Sequence, residues 1–231
     1  MKVVVINGTE VRGCTYNIKE IFLKNLAGDN EITEFYLPRD NPHFCMGCKN
    51  CFFTGEADCP HVDTVGPIWQ ALVESDLIVF AYPVYVLRTT GQVKALLDHF
   101  GCRWLVHRPE PAMFSKRAVI LTQSIGAPNR AAQKDVKTSL SWLGVTSIKC
   151  LGMGMIEGVI WEELSEARRA KIETKVARFA RGIKPTEQGR KGLLVRMKFQ
   201  LCKLMQRRVL KKGIPSLDVD YWIEKGWLKC T

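Results

Sequence analysis

Lys2-Val3-Val4-Val5-Ile6-Asn7-Gly8-Thr9-Glu10-Val11-Arg12-Gly13-Cys14-Thr15 decides the fold of this 231-residue chain. A short Val/Ile run closed by Asn-Gly reads as a buried strand, and the apolar residues Ile18, Ile21, Phe22 and Leu26 that follow it recur at helical spacing. The same alternation continues along the chain. Strand-like runs are expected at Lys2 to Asn7, Ile32 to Tyr36, Leu77 to Ala81, Ala118 to Gln123 and Ser147 to Leu151. Helical spacing places Val65, Ile68, Trp69 and Leu72 on one helix and Val93, Leu96, Leu97 and Phe100 on the next. Val136, Leu140 and Leu143 mark a fourth helix, and Leu164, Ile172, Val176 and Phe179 a fifth. Five β-α units joined by right-handed crossovers predict a three-layer α/β/α fold with a parallel sheet in the order 2-1-3-4-5, whose ligand crevice lies at the carboxyl ends of strands 1 and 3.

Hydrophobic and charged fractions of 46% and 25% are those of a globular protein. No apolar run approaches the roughly 18 residues needed to span a bilayer, and the opening residues do not read as a signal peptide, so a cytoplasmic location is expected. Nine cysteines in that compartment argue for metal or redox chemistry over a disulfide framework. The net charge of +11 is concentrated at one end: residues 1–181 carry +3 and residues 182–231 carry +8. With no recognisable binding motif and a nearly neutral main domain, nucleic acid is not expected as a partner. Gly182-Ile183-Lys184-Pro185 breaks the last helix, dividing the chain into a domain of residues 1–181 and a basic amphipathic helical extension of residues 182–231.

The turn after the first strand has the makings of a phosphate cradle, with backbone N–H groups converging at a positive helix end. Gly8 and Gly13 permit close approach, Thr9 and Thr15 offer hydroxyls, Arg12 offers positive charge, and Cys14 stands at the helix start. An ordinary strand-to-helix turn capped by Thr15 is the alternative reading. Glu10 would repel a phosphate unless it points outward. The third strand ends in Tyr82-Pro83-Val84-Tyr85, followed by Thr90-Gly91, Lys94 and Asp98. This order of turns resembles the NAD(P)H-dependent FMN reductase and iron-sulfur flavoprotein branch of the flavodoxin-like superfamily. The resemblance covers residues 1 to about 181. It implies FMN held by Thr9, Arg12, Gly13, Cys14 and Thr15 at the phosphate, by Pro83, Val84 and Tyr85 along the isoalloxazine ring, and by Thr122, Gln123, Ser124 and Gly126 in a third flavin loop. Tyr82 and Tyr85 also read as core aromatics at a strand end.

Cys45-Met46-Gly47-Cys48-Lys49-Asn50-Cys51, with Cys59-Pro60 beyond it, suits a 4Fe-4S cubane better than zinc, because four irons each need one thiolate from a compact loop. A loop of reduced thiols bordering a substrate pocket is the other reading. His43, His61 and Asp63 flank the run as loop or helix-cap residues. Cys14, Cys102, Cys150 and Cys202 read as small buried hydrophobes.

From Lys184 to Lys212 there are ten Lys or Arg and one Glu, interleaved with Leu and Met. Such a helix lies on an anionic membrane, covers a partner subunit, or packs back on its own domain with its charges solvated. The final Tyr221-Trp222 and Gly226-Trp227-Leu228 are expected to dock on the domain or across a dimer. The resemblance implies an NAD(P)H-dependent flavin oxidoreductase, a dimer or tetramer, passing reducing equivalents through FMN to a quinone, nitro compound, iron centre or protein acceptor. Two alternatives stand beside it: an electron carrier linking a 4Fe-4S cluster to FMN, and a non-catalytic membrane- or partner-binding protein.

Overall fold

Val3 and Val5 face one side of the first strand and Val4 and Ile6 the other, and each pair meets a different layer of helices. The computed structural model describes residues 1–155, 160–184 and 192–229. Its elements follow in chain order: β1 (Lys2–Asn7), α1 (Cys14–Lys24), β2 (Glu31–Tyr36), α2 (Asn50–Phe53), α3 (Val62–Glu74), β3 (Leu77–Pro83), α4 (Gly91–His99) and β4 (Arg117–Ser124). The series ends with α5 (Arg130–Trp142), β5 (Ser147–Gly154), α6 (Glu166–Arg181), α7 (Leu193–Lys211) and α8 (Leu217–Glu224).

The strands form one parallel sheet in the order β2-β1-β3-β4-β5, as the crossover argument predicts. Helices α3, α4 and α5 cover one face with Ile68, Leu72, Val93, Leu96, Val136 and Leu140, and α1 and α6 cover the other with Ile18, Phe22, Ile172 and Val176. Burial on both faces explains why the inner strands are continuous apolar runs with no polar alternation. Four strands, β2 to β5, outrun the expected ranges. β3 extends to Pro83 and β5 to Gly154 because β4 supplies pairing partners at Gln123 and Ser124 beyond the apolar stretch.

A charged contact ties α1 to the edge strand. Lys19 is fully buried, and its ammonium donates to Glu34 at 2.7 Å and to the Tyr36 hydroxyl at 3.3 Å. The Asn7 amide, at the very end of β1, donates to the same Glu34 oxygen at 2.9 Å. Burial pushes the Glu34 carboxyl up, but the hydrogen bonds from Lys19 and Asn7 and the Lys19 charge outweigh it and hold the group below the usual glutamate range.

The extension packs on its own chain. Val195 and Cys202 of α7, Trp222 of α8 and Leu228 form a third apolar cluster with Leu105 and Phe114, which precede β4. Trp222 is fully buried, stacks on Phe199 with ring centroids 5.0 Å apart, and donates its indole N–H to the His107 carbonyl at 2.6 Å. Just beyond the expected division at residue 181, residues 185–191 lie outside the described residues.

Two outcomes follow from this packing. Trp222→Ala costs about 3–5 kcal/mol of unfolding free energy in urea titrations, because a large cavity opens and the partly buried His107 carbonyl loses its donor. Glu34→Gln costs about 1.5–3 kcal/mol at neutral pH by weakening the partnership of the buried Lys19. A carboxyl held below its unfolded value stabilises the fold above the ordinary glutamate range, and this contribution is lost as pH falls through the native value. Denaturation measured from pH 7 into the acid range should show a shallower acid loss in the variant than in the parent chain.

Candidate functional site

At the carboxyl edge of the sheet the turns after β1, β3 and β4 meet. Gly8 N–H donates to the Ala81 carbonyl at 2.8 Å, and Val84 N–H donates to the Gln123 carbonyl at 2.7 Å, so backbone bonds tie the three turns side by side. Gly8 sits where no side chain fits. A Cβ there would lie 2.5 Å from Tyr82 Cβ, 2.7 Å from Val93 Cγ2 and 3.0 Å from the Thr90 hydroxyl oxygen.

In the first turn, Thr9 Oγ1 accepts from Val11 N–H at 3.2 Å, and Glu10 turns outward to accept from Arg39 N–H at 3.2 Å. The repulsion that Glu10 would exert on an anion is thereby directed away from the turn. Helix α1 begins at Cys14 with Gly13 as its N-cap, not Thr15. The first turn has no side-chain cap and no acidic residue, so the helix end keeps its partial positive charge. Thr15 is buried at that end. Cys14 packs its side chain into the apolar core, where burial and then the Glu162 charge push its thiol up, leaving its backbone as the part on offer to a ligand. Arg12 is exposed, its guanidinium 5.4 Å from the centre of the Tyr16 ring.

In the second turn the two tyrosines part company. Tyr82 is core, fully buried, its hydroxyl donating to the Ala132 carbonyl at 2.9 Å, whereas Tyr85 is half exposed beside the partly buried Pro83 and Val84. Tyr85 and Arg88 bond each other's backbone across a two-residue turn in which Val86 and Leu87 both have positive φ, 48° and 64°. That region suits Asn and Gly and strains a β-branched residue. Asp135 of α5 holds the turn by accepting from Arg88 Nε at 3.0 Å and from Thr89 N–H at 3.2 Å. The sequence offered no periodic sign of this partner, because Asp135 and Arg88 meet only through packing.

In the third turn Thr122, Gln123 and Ser124 are buried and Gly126 takes φ 74°. Thr122 Oγ1 accepts from Gln133 at 2.8 Å, and Ser124 Oγ donates to the Ala127 carbonyl at 2.5 Å while accepting from Asn129 at 3.1 Å. Among the described residues, buried polar atoms at this edge without a protein partner include the Thr90 hydroxyl and the Gln123 side-chain amide nitrogen. An orphaned hydroxyl against Gly8 and an orphaned donor between the second and third turns are what an oxygen-rich cofactor would satisfy.

The cysteine loop, between β2 and α3, borders a cavity that none of the three turns lines. Cys45, Cys48, Cys51 and Cys59 border one cavity of about 90 Å³ together with His61, Asp98 and His99. Among the described residues no three His, Cys, Asp or Glu side chains are gathered closely enough to hold a single metal ion. Burial pushes the Cys51 thiol up, a bond with Cys102 draws it down, and the neighbouring Cys59, Cys45 and Cys48 push it up again. His61 caps α3, stacks on His43 at 4.7 Å and shares a hydrogen bond with His99 at 3.0 Å. Asp63 is exposed in the first turn of α3. The extension is tied to the loop through Arg108. Buried Arg108 donates to the Cys51 carbonyl, to Asp218 of α8 and, at 3.1 Å, to Glu56.

Comparison with known proteins places these features in a family. The family model described as NADPH-dependent FMN reductase matches residues 1–155. An iron-sulfur flavoprotein of Archaeoglobus fulgidus is 24% identical over 233 residues, spanning 99% of this chain and all of the relative. An FMN-dependent NADH:quinone oxidoreductase of Bordetella bronchiseptica is 31% identical over 111 residues, 42% of this chain and 53% of that protein. In fold, the chain is similar to an FMN-dependent NADH-azoreductase of Bacillus anthracis solved with FMN, at a TM-score of 0.56 and 13% identity over 78% of this chain and 100% of that one. The tied turns, the space reserved at Gly8 and a family model covering all five strands agree: the chain belongs to the NADPH-dependent FMN reductase family, flavodoxin-like oxidoreductases that work with FMN and NAD(P)H.

Proposed function

We propose that the chain takes reducing equivalents from NAD(P)H onto FMN seated at the three turns and delivers them to a quinone, a nitro compound or an iron centre. The observation that carries this reading is the meeting of the three turns around Gly8, with the Thr90 hydroxyl and the Gln123 amide left for a ligand. FMN, when bound, supplies the hydride and electron chemistry. The protein's part is to bind and orient. Thr9, Gly13, Thr15 and the backbone at Cys14 would hold the phosphate at the uncapped end of α1, with Arg12 balancing its charge from the rim. Pro83, Val84 and Tyr85 would wall the ring, and Thr122, Gln123, Ser124 and Gly126 would meet its polar edge and the ribityl chain. No acid or base is required of the protein.

The strained turn belongs to this reading. Val86 is 95% exposed and Leu87 57% exposed, apolar side chains held in an unfavourable backbone beside the ring wall, where a nicotinamide or a flat acceptor would stack. The division at residue 181 belongs to it as well, because every proposed FMN contact precedes that point. So does a cytoplasmic setting, because a loop of reduced thiols persists in a reducing compartment. Assembly as a dimer or tetramer is part of the same expectation.

A second reading is favoured by the cysteine loop. We infer a 4Fe-4S cluster on Cys45, Cys48, Cys51 and Cys59, which would serve as electron partner to FMN. Its support is a donor set of four thiols bordering one cavity, and a relative named iron-sulfur flavoprotein that matches along the whole chain.

Spectra of anaerobically purified protein test both readings. Resolved flavin bands with NADPH oxidation that needs no added FMN are expected, and a colourless protein after FMN reconstitution rejects the first reading. Gly8→Ala forces the first turn off the third strand and weakens FMN binding about tenfold or more in fluorescence titrations. Cys48→Ser removes iron and acid-labile sulfide while FMN stays bound, and parent protein free of both rejects the cluster. Replacing Val86 by Asn and Leu87 by Gly relieves the turn and raises unfolding free energy by about 1–3 kcal/mol with FMN affinity unchanged.

A further inference from the structure

Helix α7 is apolar on two faces. Val195, Phe199 and Cys202 pack inward on Trp222 and its neighbours. On the outward side Leu193, Leu194, Met197, Leu201, Leu204 and Met205 recur at three- and four-residue spacing, and all are exposed, from 76% at Leu193 to 44% at Met205. A continuous apolar stripe of this length on a surface marks a docking face.

Charge identifies what docks. From Gly192 to Ser216 the chain carries seven Lys or Arg and no Asp or Glu. Arg196, Lys203 and Arg207 follow one edge of the stripe by helical spacing. Beyond its other edge a cleft of about 650 Å³ separates Leu193 and Leu194 from α5, rimmed by Arg130, Lys134, Lys137 and Lys198, with no acidic side chain among the described residues that line it. The stripe therefore runs between two basic rows. Two copies pairing symmetrically through α7 would press those rows together, and like charges oppose that contact. A bilayer with anionic headgroups neutralises both rows and takes up the apolar side chains. Crossing is not involved, for among the described residues no helix is long and apolar enough to span a membrane.

We propose that this face seats the protein on a bilayer carrying anionic headgroups. Helix α7 lies in the interfacial plane, Met197, Leu201 and Leu204 enter the acyl boundary, and the flanking Lys and Arg side chains meet lipid phosphates.

Flotation of the full-length protein tests the proposal, using vesicles of phosphatidylglycerol and phosphatidylcholine in equal parts against phosphatidylcholine alone. Binding to the mixed vesicles, at least about a hundredfold stronger than to phosphatidylcholine and weakened by salt, is expected. The double variant M197E/L201E, changed only at exposed positions, should lose flotation while its thermal unfolding and flavin absorbance stay those of the parent. The triple variant R196Q/K203Q/R207Q should bind the mixed vesicles about a hundredfold more weakly, about fivefold for each charge removed. Equal binding to both vesicle types, no binding to either, or undiminished binding by both variants overturns the proposal. Absence of vesicle binding together with a sedimentation mass that M197E/L201E lowers assigns the face to a second copy and overturns it equally.

Discussion

The close approach of β1's end to β3 is the contact on which the site depends. Gly8 reaches the Ala81 carbonyl through space that Tyr82, Thr90 and Val93 leave only for a hydrogen atom. That approach brings the first turn against the second, and the bond from Val84 to Gln123 brings the third against both. Parallel strands make the arrangement general, since every carboxyl end lies on the same edge of the sheet. The local chemistry then makes it particular: an uncapped helix N-terminus, an outward-facing Glu10, and buried donors left without protein partners. Family membership over residues 1–155 rests on the same segment.

Beneath and behind this edge the molecule is braced by buried charges that the apolar pattern does not announce. Lys19 and Glu34 join α1 to β2, and Asn7 shares their carboxylate at the last residue before the turn, so the foot of the first turn is anchored on two sides. Arg108 performs a similar task for the cysteine loop. Its guanidinium links the Cys51 carbonyl to Glu56 and to Asp218 of the extension, so the position of the thiols depends on helices near the far end of the chain. Buried charges of this kind are costly when one partner is missing, and they fix relative positions more than they add stability.

The extension serves two surfaces at once. Its inner side completes an apolar cluster with Leu105, Phe114 and Trp222 and braces the loop that carries the thiols. Its outer side keeps Leu and Met in water between rows of Lys and Arg. A helix serving only to cover its own domain would need the first surface and gain nothing from the second.

Much of this was legible in the chain by itself. Val/Ile runs at five places, each bounded by turn residues, determined the strand count, and crossover handedness determined their order, because both are properties of local sequence and general geometry. The glycines and threonines after β1, the Pro83-Val84-Tyr85 turn and the spacing of four cysteines marked where to look. Other features became visible only in the folded molecule. Tyr82 and Tyr85, three residues apart in similar surroundings, separate into core and surface because one lies within the strand and the other beyond it. Cys14 turns its thiol into the core, and the outward turn of Glu10 depends on Arg39 some thirty residues away. Asp135, Glu34 and Asp218 gain their roles from partners distant in sequence. Periodicity reports which side of an element meets apolar surroundings, whereas the partner of a polar side chain is decided by how the elements pack, and only the tertiary structure supplies that.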